Sequence, residues 1–170
     1  MLLVGGRSRR FGSPKALAEL DGETLADRAW RLLGEVCDER LAVGDGHGLP
    51  FFSLRDAAAG GGPLAGVVAG LRAAAHDVAV VVPVDMPLLT PAALRTLAAA
   101  CREAAVPQTG PLPAVYTKRA LPTLEASLAA GDLALAHVVL RLDAATVQLD
   151  EALLANVNER EDLERLRRGG

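Results

Sequence analysis

Val78-Ala79-Val80-Val81-Val82-Pro83-Val84 is continuously apolar and ends at Asp85-Met86-Pro87. It is the longest apolar run in the chain and lies far below the roughly 18 to 20 residues that cross a membrane. A strand with no polar side to offer water must be covered on both faces, so the chain has to place helices on two sides of a sheet. Composition points the same way. The chain is 51% hydrophobic but only 3% aromatic, so alanine, valine and leucine must build the core, which suits helices packed on a parallel sheet. At 170 residues it is long enough for one well-buried domain and short for two, and a single domain over residues 1–170 is expected.

The other patterns alternate in keeping with this. Leu2-Leu3-Val4 reads as an opening strand, short because Met1 already belongs to it. Ala16 to Leu20 followed by Asp21-Gly22 reads as a brief extended piece ending in a turn. Thr24 can cap a helix whose apolar positions Leu25, Ala29, Leu32, Leu33 and Val36 recur at helical spacing. Arg40 to Val43 and Phe51 to Leu54 read as strands, the second delivering Asp56 to its C-terminal end. Gly60 to Pro63 opens a helix through Leu64, Val67, Val68 and Leu71, with Pro63 at its first position.

Thr90-Pro91 starts a helix expected to reach about Ala105. Val106 to Tyr116, rich in proline and glycine, reads as an irregular or antiparallel excursion. Helices follow around Ala120 to Ala130 and Leu133 to Leu140, then a strand near Thr146 to Leu149. A short extended Asn156-Val157-Asn158 precedes a charged helix that Asn158 can cap, with Glu161 three residues later. Strands alternating with helices predict an α/β, doubly wound and mostly parallel sheet. Ligands in such folds bind beyond the carboxyl ends of the strands.

Gly5-Gly6, Asp56 and Asp85 all fall at those ends. Two glycines after a strand let the backbone approach an anion closely, and Arg7, Arg9, Arg10 and Lys15 follow to neutralise it. The same stretch is also explained by a glycine turn and a solvated basic loop. It is neither a P-loop nor a Gly-x-Gly-x-x-Gly fingerprint. The formal net charge of −3 argues against a broad nucleic-acid surface, since the positive charge is local. Cys37 and Cys101 fall within expected helices rather than at metal-ligand spacing, and read as free thiols of a reducing compartment. No secretory signal is visible. A soluble, cytoplasmic protein with neither membrane nor nucleic acid as partner is the expectation.

Asp56 alone is explained by a turn or cap. Asp85, held between Pro83 and Pro87 at the end of a buried strand, sits where a hard cation needs a fixed oxygen. Mg2+ commonly takes one or two carboxylates and completes its shell with phosphate oxygens and water. His47, His76 and His137 lie far apart and near no nucleophile motif, so no covalent catalyst is indicated. A phosphate monoester acceptor is already ionised near neutral pH. Such a reaction needs only alignment on an α-phosphorus and stabilisation of departing pyrophosphate.

GGRSRRFGSPKALAELDG at the start, GPLAG from Gly62, PVDMPLL from Pro83, PLPAVY from Pro111 and NVNEREDL from Asn156 occur in this order. Over nearly the whole chain this series resembles the molybdenum cofactor guanylyltransferases. The resemblance implies a three-layer, Rossmann-like nucleotidyltransferase fold of the glycosyltransferase-A type. It implies transfer of GMP from Mg-GTP to the terminal phosphate of molybdopterin or molybdenum cofactor, with pyrophosphate released. Leu3, Val4, Gly5, Gly6, Lys15, Asp56, Gly62 and Asp85 would hold the nucleotide, Asp85 being the Mg2+ ligand. Arg7, Lys15 and Asp85 would be catalytic, and Asn156 and Asn158 would face the acceptor. Cofactor-delivery proteins or molybdoenzymes are the implied protein partners.

Two departures bear on the site. Gly44 stands where the family often has an asparagine, and Gly131 to Ala136 lacks the arginines its relatives often turn toward the acceptor. Alternatives are a CTP-dependent molybdopterin cytidylyltransferase, a sugar-phosphate nucleotidyltransferase, and a noncatalytic nucleotide-binding assembly protein.

Overall fold

The computed structural model describes residues 1–4, 14–46 and 48–168. In chain order the elements are β1 (Leu2–Leu3), β2 (Glu19–Leu20), β3 (Glu23–Thr24), α1 (Leu25–Gly34), β4 (Ala42–Val43), β5 (Ser53–Leu54), α2 (Gly62–Ala73) and β6 (Val78–Pro83). They continue with α3 (Pro91–Ala100), β7 (Ala104–Pro107), β8 (Ala114–Thr117), α4 (Leu121–Ala129), α5 (Leu135–Val139), β9 (Ala144–Val147) and α6 (Arg160–Arg168). Single 3-10 turns lie at Lys15–Leu17, Lys118–Ala120 and Glu151–Leu154.

β1 has only two described residues, yet it pairs in parallel on both sides: Leu2 lies opposite Ala42 of β4 and Val82 of β6. The seven-stranded sheet runs β5-β4-β1-β6-β8-β7-β9. β8 is antiparallel to both of its neighbours, and the remaining pairs are parallel. Alternation along the strands sorts side chains into two cores. Leu2, Val80, Val82, Ala105 and Val115 pack with Leu25 and Leu33 of α1, Leu94 and Leu97 of α3, and Leu163 of α6. Leu3, Val43, Val81, Ala104 and Tyr116 pack with Leu64, Val67 and Leu71 of α2, Leu124 of α4, and Val138 of α5. The expected α/β, three-layer, mostly parallel architecture is the one found.

Locally, Thr24 caps α1 by accepting from the Asp27 N–H at 3.0 Å. Three expectations are corrected. The 16–20 stretch is not simply extended: it begins in the 3-10 turn and ends in the β2–β3 hairpin. Asp21 (φ 54) and Gly22 (φ 80) supply the left-handed pair that a two-residue hairpin turn demands. The helix expected to reach Ala105 stops at Ala100, with Cys101 already extended, because Ala104–Pro107 gains two strand partners as β7. Pairing across the sheet overrides the helical preference of an alanine-rich run. Cys101 consequently lies just past α3 and Cys37 lies beyond the end of α1 at Gly34, both as half-buried free thiols. Burial raises the pKa of each. No described helix is long and apolar enough to cross a membrane.

Candidate active site

β6 leads directly into Asp85. The Val84 N–H donates to Leu3 O at 3.1 Å, carrying the β1–β6 pairing one residue further, and the Val157 N–H donates to Asp85 O at 2.8 Å. That last bond fixes the 156–158 segment against the end of β6. From the other side, Lys15 opens the 3-10 turn before β2 and sends its Nζ to 3.2 Å from Asp85 Oδ2. The same Nζ lies 3.5 Å from Asn158 Oδ1, at the outer limit of a hydrogen bond. The Lys15 and Asp85 side chains are only 15% and 28% exposed. Partial removal from water strengthens this pair relative to one on the open surface.

Around it lies a cleft of about 950 Å³. One wall comes from the β1, β4 and β5 ends and the start of α2, and carries Leu3, Asp45, Asp56, Gly62 and Gly66. The opposite wall comes from the β7–β8 connection and the stretch after β9, and carries Thr109, Gly110, Pro111, Leu112, Leu154 and Asn156. Asp85 and Met86 lie between them in sequence and in the sheet. Asp56 is largely exposed, but its carboxylate rests over α2, where a Cβ added at Gly66 would stand 3.4 Å from Oδ1. Partial burial pushes the Asp56 carboxyl above the usual carboxylate range. Among the described residues its carboxylate has no hydrogen-bond or ion-pair partner.

The expected residues converge unevenly. Leu3, Asp56, Gly62, Asp85 and Asn156 line the cleft, and Lys15 and Asn158 meet Asp85 as described. Val4 is buried in the opposite core, and its N–H is taken by Val43 O at 2.9 Å. Gly5, Gly6 and Arg7, together with Arg9, Arg10 and His47, lie outside the described residues. Asn158 does not cap α6 with its side chain. Asp162 does that work: its Oδ2 accepts from the Asn158 N–H at 2.6 Å and the Glu159 N–H at 2.8 Å, freeing the Asn158 amide to face Lys15. Asp45, Gly66 and the Thr109–Leu112 loop are cleft residues that sequence reasoning missed. For Asp45 a signal existed, since it stands at the end of a strand as Asp56 and Asp85 do.

The donor chemistry fits a hard divalent cation. Asp85 spends one oxygen on Lys15, Asp56 offers a second carboxylate on the same cleft, and the described residues contain no cluster of three or more His, Cys, Asp or Glu suited to a metal. A cation here would take one or two protein oxygens and fill its remaining positions from phosphate and water, as Mg2+ does. Cationic Lys15 beside that carboxylate suits a polyphosphate.

The cleft lies at the carboxyl ends of the parallel strands, where doubly wound α/β folds bind their ligands, and the fold is the Rossmann-like one that nucleotidyltransferases share. Two solved structures share the fold. The molybdopterin-guanine dinucleotide biosynthesis protein A of Archaeoglobus fulgidus matches with a TM-score of 0.80 at 24% identity, over 98% of this chain and 95% of that one. The 2-C-methyl-D-erythritol 4-phosphate cytidylyltransferase of Thermus thermophilus matches at 0.77 and 18% identity, over 98% and 96%.

Sequence comparison narrows the class. The family model of the MobA-like NTP transferase domain matches residues 1–162. A probable molybdenum cofactor guanylyltransferase of Chloroflexus aggregans is 39% identical, covering 78% of this chain and 71% of the relative. The molybdenum cofactor guanylyltransferase of Desulfosudis oleivorans is 32% identical, covering 97% and 92%. The chain belongs to the MobA-like NTP transferase family, among the molybdenum cofactor guanylyltransferases, and is an enzyme of the nucleotidyltransferase class.

Proposed function

We propose that this chain, acting as one domain, transfers GMP from Mg-GTP to the terminal phosphate of molybdopterin or molybdenum cofactor and releases pyrophosphate. The observation that carries this reading is the meeting of Lys15, Asp85 and Asn158 at the end of β6. It puts a phosphate-binding cation, a carboxylate suited to a metal and an amide beside the acceptor-side wall within one hydrogen-bonded group.

The wall bearing Leu3, Asp56 and Gly62 takes the nucleotide, and Gly5, Gly6 and Arg7, which lie outside the described residues, are assigned to the nucleotide as well. The wall bearing Asn156 takes the acceptor, with Asn158 beside it. With nucleotide bound, Lys15 would turn from Asp85 to the triphosphate, and Asp85 would be the residue that holds Mg2+. A divalent cation held there would supply charge neutralisation on the phosphates and electrophilic assistance at the α-phosphorus. The protein's own part is alignment. The acceptor phosphate attacks the α-phosphorus as an anion, the bond to the bridging oxygen breaks, and pyrophosphate leaves with its charge met by Lys15 and Arg7. No protein group has to remove a proton.

The test is pyrophosphate release from GTP and, separately, CTP, with Mg2+ and molybdopterin, comparing wild type with Asp85→Ala and Lys15→Ala. Release from GTP that requires acceptor, and falls on the order of 100-fold or more in Asp85→Ala, supports the reading. Equal or better use of CTP moves the protein to the cytidylyl branch. Full Mg-dependent turnover by Asp85→Ala overturns the metal assignment.

A further inference from the structure

The acceptor-side wall is made from two segments far apart in sequence, and one side chain ties them. β7 pairs in parallel with β9 as far as Pro107 and Val147, and the Gln108 N–H adds a further bond to Val147 O at 3.2 Å. Beyond this the strands have no backbone pairing left, because the chain turns away through Thr109 and Gly110. The Gln108 side chain takes over. Its Nε2 donates to Leu149 O at 2.8 Å, and its Oε1 accepts from the Leu149 N–H at 3.1 Å. One amide thus engages both polar groups of one backbone residue, as a peptide unit in a ladder would.

The positions of the tied segments give this bond its meaning. On one side Gln108 leads straight into Thr109, Gly110, Pro111 and Leu112 of the cleft. On the other, Leu149 precedes Asp150, whose Oδ1 accepts from the Ala152 N–H at 2.9 Å and caps the turn at Glu151–Leu154. That turn delivers Leu154 and Asn156 to the cleft. The far end of the first loop is held separately, by the buried Tyr116 hydroxyl donating to Pro111 O at 3.4 Å. The nucleotide-side wall has no part in either tie.

We propose that Gln108 is a positioning residue for the acceptor: its amide locks the Thr109–Leu112 loop to the segment that carries Asn156, setting the width of the acceptor side without touching the nucleotide side. The inference rests on the guanylyl-transfer reading above. Deleting the amide lets the two segments separate, and misplacement of a reactant by about an ångström can cost up to about 100-fold.

The experiment compares wild type, Gln108→Ala and the nearly isosteric Gln108→Met, which fills the same space but can make neither bond. KM for molybdopterin and KM for GTP are measured separately by pyrophosphate release. Amide hydrogen exchange of peptides spanning 109–112 and 149–156 is followed without ligands. The expected result is a rise of about 10-fold in acceptor KM in both variants, a change in GTP KM below about twofold, and faster exchange in both peptides together. A Gln108→Met enzyme with wild-type acceptor KM overturns the proposal, as does a parallel rise in both KM values or unchanged exchange. A wild type that releases no pyrophosphate from either nucleotide overturns instead the reading on which the proposal rests, while exchange still decides whether the clamp exists.

Discussion

Asp56 and Asp85 occupy equivalent strand ends but live under opposite electrostatics. Asp85 has a cation at 3.2 Å, whereas Asp56 faces α2 partly desolvated, with its carboxyl pKa raised. A carboxyl whose pKa is higher folded than unfolded stabilises the fold only while protonated, and it costs stability once pH rises through the folded value. Asp56→Asn should therefore raise Tm at pH 7, with the gain shrinking as pH falls through the acid range where Asp56 takes its proton. Solvent on the exposed side of the group keeps the gain small, on the order of 1–2 °C. The same variant should bind GTP less well, so calorimetry and nucleotide titration must move in opposite senses.

Lys15 and Asp85 were legible in the sequence because each stands in a short motif with a chemical reason attached. Gln108 was not. A glutamine after a proline carries no local signal, and its partner Leu149 is visible only once β7 and β9 are paired.

Among the elements, α2 shows most directly how packing shapes the cleft. Gly66 and Gly70 face β1 and β4, and a Cβ at Gly66 would come within 3.0 Å of Leu3 and 3.4 Å of Asp56. Gly66→Val should cost about 1–3 kcal/mol by overpacking and push Leu3 and Asp56 toward the nucleotide, lowering both Tm and GTP affinity.

At α6, the N–H groups of Glu159 and Asn158 hold the Asp162 carboxyl below the usual carboxylate range. Its stabilising effect is complete above the unfolded value and disappears as pH falls through the lower folded one. Asp162→Ala should lose about 1 kcal/mol at pH 7, and denaturation curves of variant and wild type should converge in acid. The helix itself was legible in its charge pattern; which residue caps it was not, because Asp162 and Asn158 are both competent and only geometry assigns the work. The end of α3 failed for a related reason: alanine fits a helix and a buried strand alike, and the decision belongs to β8 and β9.

At the scale of the molecule, the doubly wound sheet was legible from the alternation of apolar runs, whereas the place of β8, antiparallel to both neighbours, was visible only as a change of pattern after Val106. A ligand that binds the folded chain alone adds stability by mass action. GTP with Mg2+ at about 100 times its Kd should add about 2.7 kcal/mol, or roughly 5–10 °C in Tm. The shift should be largely absent with EDTA and in Lys15→Ala, as scanning calorimetry would report.

The bond from Val157 N–H to Asp85 O and the contacts of Lys15 close the site across very different lengths of chain: Lys15 is 70 residues from Asp85 and 143 from Asn158. Long loops close late because their entropy must be spent before their contacts return anything. The site is complete only when Lys15, Asp85 and Asn158 have all come together, so a refolding enzyme should regain its helices before it regains turnover, as stopped-flow circular dichroism and an activity assay on the same refolding sample would report.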